Sequence, residues 1–139
     1  TGLDVPLTLV DGRGREAMIA ADVVLTASGT ATLEALLLKR PMVVGYRLDP
    51  LTYRLVKFFN LIKVPQIAMA NILAGRELAP EFIQDRCQAE RMGPALLALL
   101  EDTPRLAEIQ ETYARIHGQL RRDASREAAS ALLELVAAA

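Results

Sequence analysis

Short apolar runs that alternate with helix-forming stretches constrain this chain more than any other feature. Val23-Val24-Leu25-Thr26 and Met42-Val43-Val44-Gly45 are such runs. The first is rich in β-branched residues, which suit a pleated strand. Helix-forming stretches follow them, Ala31 to Lys39 in one case and a segment opening at Asp49-Pro50 in the other. A strand buried on both faces reads as a continuous apolar run, and strand–helix alternation puts helices over both faces of a parallel sheet. The pattern predicts an α/β fold amounting to roughly half of a doubly wound domain.

Two further strands are expected, about four in all. Leu7-Thr8-Leu9-Val10 is closed by the turn signal Asp11-Gly12, and Gln66-Ile67-Ala68-Met69 is a second short apolar run. Arg15 to Ala20 suits a short helix. Arg40-Pro41 ends the Ala31–Lys39 helix, because proline disfavours the helical state in the residue before it. Asp49 is the expected N-cap of the next helix and Pro50 its first residue, with Leu51, Leu55, Phe58, Phe59 and Ile62 as its apolar face.

The second half of the chain is helical. Ala89, Met92, Leu96, Leu99 and Leu100 share one side of a helix. Thr103-Pro104 reads as a cap followed by a first-turn proline. Leu106, Ile109, Tyr113, Ile116 and Leu120 then recur at three and four, an amphipathic helix of about four turns. A last helix, after Asp123, carries Leu132, Leu135 and Val136 and frays into the terminal alanines. Both stripes come after the sheet is already covered. They are expected to pack on a second domain or subunit, so residues 1–103 form a partial Rossmann-like domain and 104–139 a set of C-terminal helices.

Composition narrows the partners. The 139 residues suit one domain, and 52% apolar with 24% charged residues excludes intrinsic disorder. A net charge of −1, from 16 basic and 17 acidic residues, argues against nucleic acid. Cys87 is the single cysteine, which excludes an internal disulfide and a cysteine-built zinc site. No metal site is expected: Asp4, Asp11 and Asp22 lack ligand spacing, and His117 is the single histidine. His117 lies near Arg115, Arg121 and Arg122, which suggests a solvated face. The Arg121, Arg122 and Arg126 cluster suits either an anionic membrane surface or a solvated helix junction. No apolar run reaches the roughly 18 residues of a spanning helix. The first residues have no signal-peptide pattern and no initiator Met, so the chain is expected to be a piece of something longer.

The segment Ala27-Ser28-Gly29-Thr30-Ala31-Thr32-Leu33-Glu34 carries the clearest chemistry. A strand ends, small residues turn, and a helix begins. The first turn of a helix has unpaired N–H groups and about half a positive charge, which attract phosphate. Gly29 admits a close approach to the backbone. Ser28 and Thr30 can cap the helix or donate to a phosphate oxygen. Glu34, one turn on, can accept ribose hydroxyls. The competing reading is plain N-capping with Glu34 solvated. Asn71, Arg76 and Glu77 lie in a second candidate segment after the expected fourth strand. Asn71 can bond an amide or hydroxyl and Arg76 a phosphate, or the two belong to a surface loop in which Arg76 pairs with Glu77 or Glu81. Tyr46, after the third strand, can stack on a base or simply pack. Cys87 has no activating partner and reads as structural.

Four blocks of this sequence resemble the lipid-A-disaccharide synthase family: Leu9-Val-Asp-Gly-Arg-Gly-Arg-Glu-Ala-Met18, Ala27-Ser-Gly-Thr-Ala-Thr-Leu-Glu34, Lys39-Arg-Pro-Met-Val-Val-Gly-Tyr-Arg47 and Asn71-Ile-Leu-Ala-Gly-Arg-Glu-Leu78. They stand in the family's order across most of residues 9 to 78. The Ser-Gly-Thr block also occurs in other nucleotide-sugar transferases; those around Tyr46 and Asn71 are more specific. Ala70 departs from the pattern, which has Pro before the Asn.

The resemblance implies the C-terminal half of a two-domain glycosyltransferase of the B fold. Such an enzyme moves 2,3-diacylglucosamine from UDP to 2,3-diacylglucosamine 1-phosphate, with inversion, as a peripheral enzyme on the cytoplasmic face of the bacterial inner membrane. By the same resemblance Ser28, Gly29 and Thr30 hold the UDP phosphates and Glu34 the ribose. Tyr46, Asn71, Arg76 and Glu77 complete the UDP-binding set. The acceptor site and general base belong to an N-terminal domain outside this sequence, so the chain alone is expected to be inactive. No cofactor or metal is expected where helix N–H groups and hydroxyls offset the leaving charge. The alternatives are another UDP-N-acetylglucosamine transferase or epimerase of similar architecture, and a non-catalytic module that forms homo-oligomers through its C-terminal helices.

Overall fold

The computed structural model describes residues 5–49, 52–55, 66–121 and 123–137. In chain order they form α1 (Gly14–Ala20), β1 (Val24–Thr26), α2 (Thr30–Leu37), β2 (Met42–Tyr46), α3 (Met69–Ala74), β3 (Glu81–Ile83), α4 (Ala89–Glu101), α5 (Thr103–Leu120) and α6 (Ala124–Ala137). A helical turn at 52–55 follows Asp49, whose Oδ1 and carbonyl accept from Thr52 and Tyr53 N–H. Of the apolar face expected there, Leu51, Phe58, Phe59 and Ile62 lie outside the described residues, as does Arg122.

The three strands are parallel, in the order β1-β2-β3. The fold is therefore α/β, a partial Rossmann-like half, with three strands among the described residues where about four are expected. Residues 7–10 pair with no strand among the described residues, and Leu7 and Leu9 are 86% and 92% exposed. An apolar run becomes a strand only where a neighbour satisfies its backbone and a surface covers its side chains. Residues 66–67 belong to no regular element, Ala68 is extended, and the chain enters α3 at Met69. The N–H groups of Ile67 and Ala68 go to the Glu81 carboxylate instead of a ladder. A run as short as Gln66–Met69 does not distinguish strand from helix by periodicity. The third strand is Glu81-Phe82-Ile83, placed beside Val44, Gly45 and Tyr46 of β2.

β2 is the central strand, and the core gathers on it. Met42, Val43 and Val44 are buried with Ala35 and Leu36 of α2, with Ala68, Ala70, Leu78 and Ala79, and with Ile109, Tyr113 and Ile116 of α5. α4 packs on β2 and α5. α2 stops before Pro41 through a reversal at Lys39. Lys39 takes φ +59°, its N–H bonds the Leu36 carbonyl, and Arg40 N–H bonds that of Ala35. These are the two bonds of a Schellman ending, with Lys where Gly is usual.

α5 opens one residue earlier than the sequence suggests. Asp102, not Thr103, is the cap, its Oδ1 accepting from Arg105 N–H at 2.9 Å. The stripe of α5 is covered within the chain from Leu106 to Ile116, because the helix packs against α2, α3 and α4, while Leu120 stays exposed. α6 differs: Leu132, Leu133, Leu135 and Val136 are all exposed. His117 does not lie on a solvated face; it is half-buried, and Lys39 Nζ donates to its Nδ1 at 2.7 Å. No helix among the described residues is long and apolar enough to cross a membrane.

Candidate functional site

The head of α2 lies immediately beyond β1, at the carboxyl edge of the sheet. Gly29 is its N-cap at φ +131°, ψ −155°, a conformation that L side chains rarely adopt. A Cβ at Gly29 would meet nothing within 4 Å, so the approach to this backbone is open. No side chain caps the helix, and its first turn has no acidic residue. The positive end of the helix thus keeps its pull on an anion. Thr30 is exposed and Ser28 half-buried, with Ser28 Oγ donating to the Ile67 carbonyl at 3.3 Å. Glu34 is exposed, beside Arg15, Leu37 and Leu38 around a depression of about 340 Å³.

The second candidate segment sits beside the first, though no strand delivers it. Thr32 Oγ1 accepts from Met69 N–H at 3.2 Å and donates to the Gly29 carbonyl at 2.8 Å. This joins the start of α3 to the turn before α2. Asn71 is fully buried in α3. Its Oδ1 accepts from Leu78 and Ala79 N–H, and its Nδ2 donates to the Ala79 carbonyl and Glu81 Oε1, each at 2.8 Å. Those four bonds use the whole capacity of the amide. Asn71 therefore shapes the 71–81 connection and presents no spare polar atom to a ligand.

Arg76 and Glu77 follow the left-handed Gly75 that ends α3. Arg76 pairs with Glu108 of α5 at 2.6 Å, rather than with the Glu77 or Glu81 that its sequence neighbourhood offers. Glu77 is exposed, and its carbonyl accepts from Arg105 at 3.5 Å. Tyr46 ends β2, half-buried, opposite Ile83. Ser28 thus meets the 67–71 segment directly and Gly29 through Thr32, while Arg76 and Glu77 are tied to α5.

Two residues hold this edge together in ways the sequence does not signal: Glu81, expected only as a surface partner of Arg76, and Gln84. Glu81 grips the 67–71 segment, and Gln84 Oε1 accepts from Leu48 N–H at 2.7 Å, clasping the loop after β2. Gln84 does so from a left-handed backbone at φ +52°, a strained state that a non-glycine residue keeps only when its surroundings hold it there. Neither belongs to a local motif; both act on residues far away in sequence.

The family model for lipid-A-disaccharide synthetase matches residues 1–136. The chain is 56% identical over 128 residues to a lipid-A-disaccharide synthase of Xanthomonas campestris pv. campestris (strain 8004), covering 92% of this chain and 29% of that protein. It is 54% identical over 128 residues to the protein of that name in Xylella fastidiosa (strain 9a5c), covering 92% of this chain and 33% of the relative. The chain spans about three tenths of the length of the curated relatives it matches.

Proposed function

The chain belongs to the lipid-A-disaccharide synthetase family, and from that premise we propose that it is the nucleotide-sugar-binding part of an inverting glycosyltransferase. The donor is UDP-2,3-diacylglucosamine and the acceptor 2,3-diacylglucosamine 1-phosphate, met at the inner-membrane surface from the cytoplasmic side. The observation that carries this reading is the uncapped head of α2, with Gly29 at φ +131° opening the backbone in front of it.

The chemistry divides between two bodies. The acceptor oxygen attacks the anomeric carbon on the face opposite UDP, the bond from that carbon to the diphosphate oxygen breaks, and the acceptor proton passes to a base. This chain supplies the leaving-group side. The N–H groups at the head of α2, with the Ser28 and Thr30 hydroxyls, take up charge developing on the diphosphate. Glu34 accepts the ribose hydroxyls. Tyr46, Arg76 and Glu77 bound the donor side, and Asn71 contributes through the backbone it fixes. The base comes from the part of the family's length that this chain does not span. The exposed stripe of α6 is covered by that part or by a second copy.

Calorimetric titration of UDP into this chain tests the proposal. UDP is expected to bind weakly, Ser28→Ala and Glu34→Ala to weaken it further, and no sugar transfer to occur. Absence of UDP binding overturns the nucleotide reading, and turnover by this chain alone overturns the division of labour. Equal competition by acylated and unacylated UDP-sugars would favour another UDP-N-acetylglucosamine enzyme of the same architecture.

A further inference from the structure

The strand register places Glu81 where it can act on the turn before α2. Thr26 stands level with Val44, and Val44 with Glu81, so β3 begins where β1 ends. The two are separated by two strand spacings, roughly 10 Å. From there Glu81 Oε2 accepts from Ile67 N–H at 2.9 Å, and Oε1 from Ala68 N–H at 2.9 Å and Asn71 Nδ2 at 2.8 Å. The Ile67 carbonyl is the acceptor of Ser28 Oγ. The next donor, Met69 N–H, goes to Thr32 Oγ1, which donates to the Gly29 carbonyl. Three successive backbone donors are thus fixed, and the bonds from that segment end on Ser28 and Gly29.

We infer that Glu81 is a positioning residue for diphosphate recognition. It acts through the Ile67–Met69 backbone to set the Ser28 hydroxyl and the Gly29 peptide, and with them the open head of α2. The inference rests on the nucleotide reading above. A carboxylate is required because both of its oxygens face N–H donors; an amide would turn its own N–H₂ toward one of them.

UDP titration of this chain tests it, with amide hydrogen exchange at Thr32, whose N–H bonds the Gly29 carbonyl, and at Met69, whose N–H bonds Thr32 Oγ1. Glu81→Gln is expected to weaken UDP binding about tenfold and to speed exchange at Thr32 and Met69. Its effect combined with Ser28→Ala is expected to be less than the sum of the two, since one acts through the other. Ile109→Val, a core change away from the turn, is expected to lower the thermal midpoint and leave UDP affinity alone. Wild-type affinity and wild-type exchange in Glu81→Gln, whatever its thermal midpoint, overturn the inference, as does full additivity with Ser28→Ala. Should Glu81→Gln fail to fold, Glu81→Asp, with both acceptors one methylene short, replaces it under the same expectations. Should the wild-type chain not bind UDP, the nucleotide reading fails separately. Exchange at Thr32 and Met69 in the variant then decides the positioning role, faster exchange supporting it and unchanged exchange overturning it.

Discussion

Arg76 Nη2 donates to Glu108 Oε1 at 2.6 Å, joining the connection after α3 to α5. Arg105 Nη1 donates to the other carboxylate oxygen at 3.1 Å, so two guanidinium groups share one acid. The hydrogen bond from Arg76, aided by the charges of Arg76 and Arg105, holds the Glu108 carboxyl below its ordinary value of 4.5. A carboxyl lowered by folding contributes stability that is present above its unfolded value and lost as pH falls through the lowered one. Glu108→Gln is therefore expected to lower the thermal midpoint at neutral pH and to converge with wild type in acid. The pair is half-exposed, so its contribution is small and shrinks with added salt. Melts across pH at two salt concentrations check this; equal differences at all pH values would contradict it.

Asn71→Ala removes four buried hydrogen bonds and leaves Leu78 and Ala79 N–H without their acceptor. A loss of roughly 3 kcal/mol is expected from stranding buried donors. Denaturant unfolding measures it. A loss under about 1 kcal/mol would mean that another acceptor replaces Oδ1.

Tyr113 presents the opposite case. Its side chain is fully buried, and its hydroxyl has no hydrogen-bond partner among the described residues. Tyr113→Phe is expected to stabilise the fold by on the order of 1 kcal/mol, because an unsatisfied polar atom leaves the core. Burial also pushes the phenol above its ordinary value of 10.0. The corresponding stability is full below that value and declines as pH rises beyond it. Chemical denaturation of the Phe variant, and alkaline melts of both forms, test the two statements.

Gly45 lies where β2 meets α4. A Cβ there would come within 2.9 Å of Met92 Sδ and 3.2 Å of Cys87 Sγ. Gly45→Ala is expected to cost about 1 kcal/mol, at the low end for overpacking, because the methionine end can move. Adding Met92→Ala should shrink the increment that Gly45→Ala causes. An unchanged increment would place the strain elsewhere.

The local signals that survived folding are those whose cause is local. Val23–Thr26 and Met42–Gly45 are long and apolar enough to mark parallel strands, and β1 and β2 lie there, β2 largely buried but β1 with Leu25 51% exposed. Pro41 and the acidic cap Asp49 act within a few residues of themselves, and the cap of α5 falls a single residue from its expected place, at Asp102 rather than Thr103. Gly29, between a strand and a helix, marks the turn, because few other residues take φ +131°.

What the tertiary structure alone decided depends on distant partners. Leu7–Val10 is as apolar as β1 but has no ladder neighbour among the described residues, whereas the unpromising Glu81-Phe82-Ile83 becomes a strand because β2 presents an edge to it. Asn71 reads as a ligand-facing residue until its amide is seen closed by Leu78, Ala79 and Glu81. His117 meets Lys39 across 78 positions, and Arg76 finds Glu108 across 32. Helical periodicity tells that one face of α5 is apolar, but not that α2, α3 and α4 cover it. Spacing along a chain reports propensity and period; which donor meets which acceptor is settled only when packing closes the distance between them.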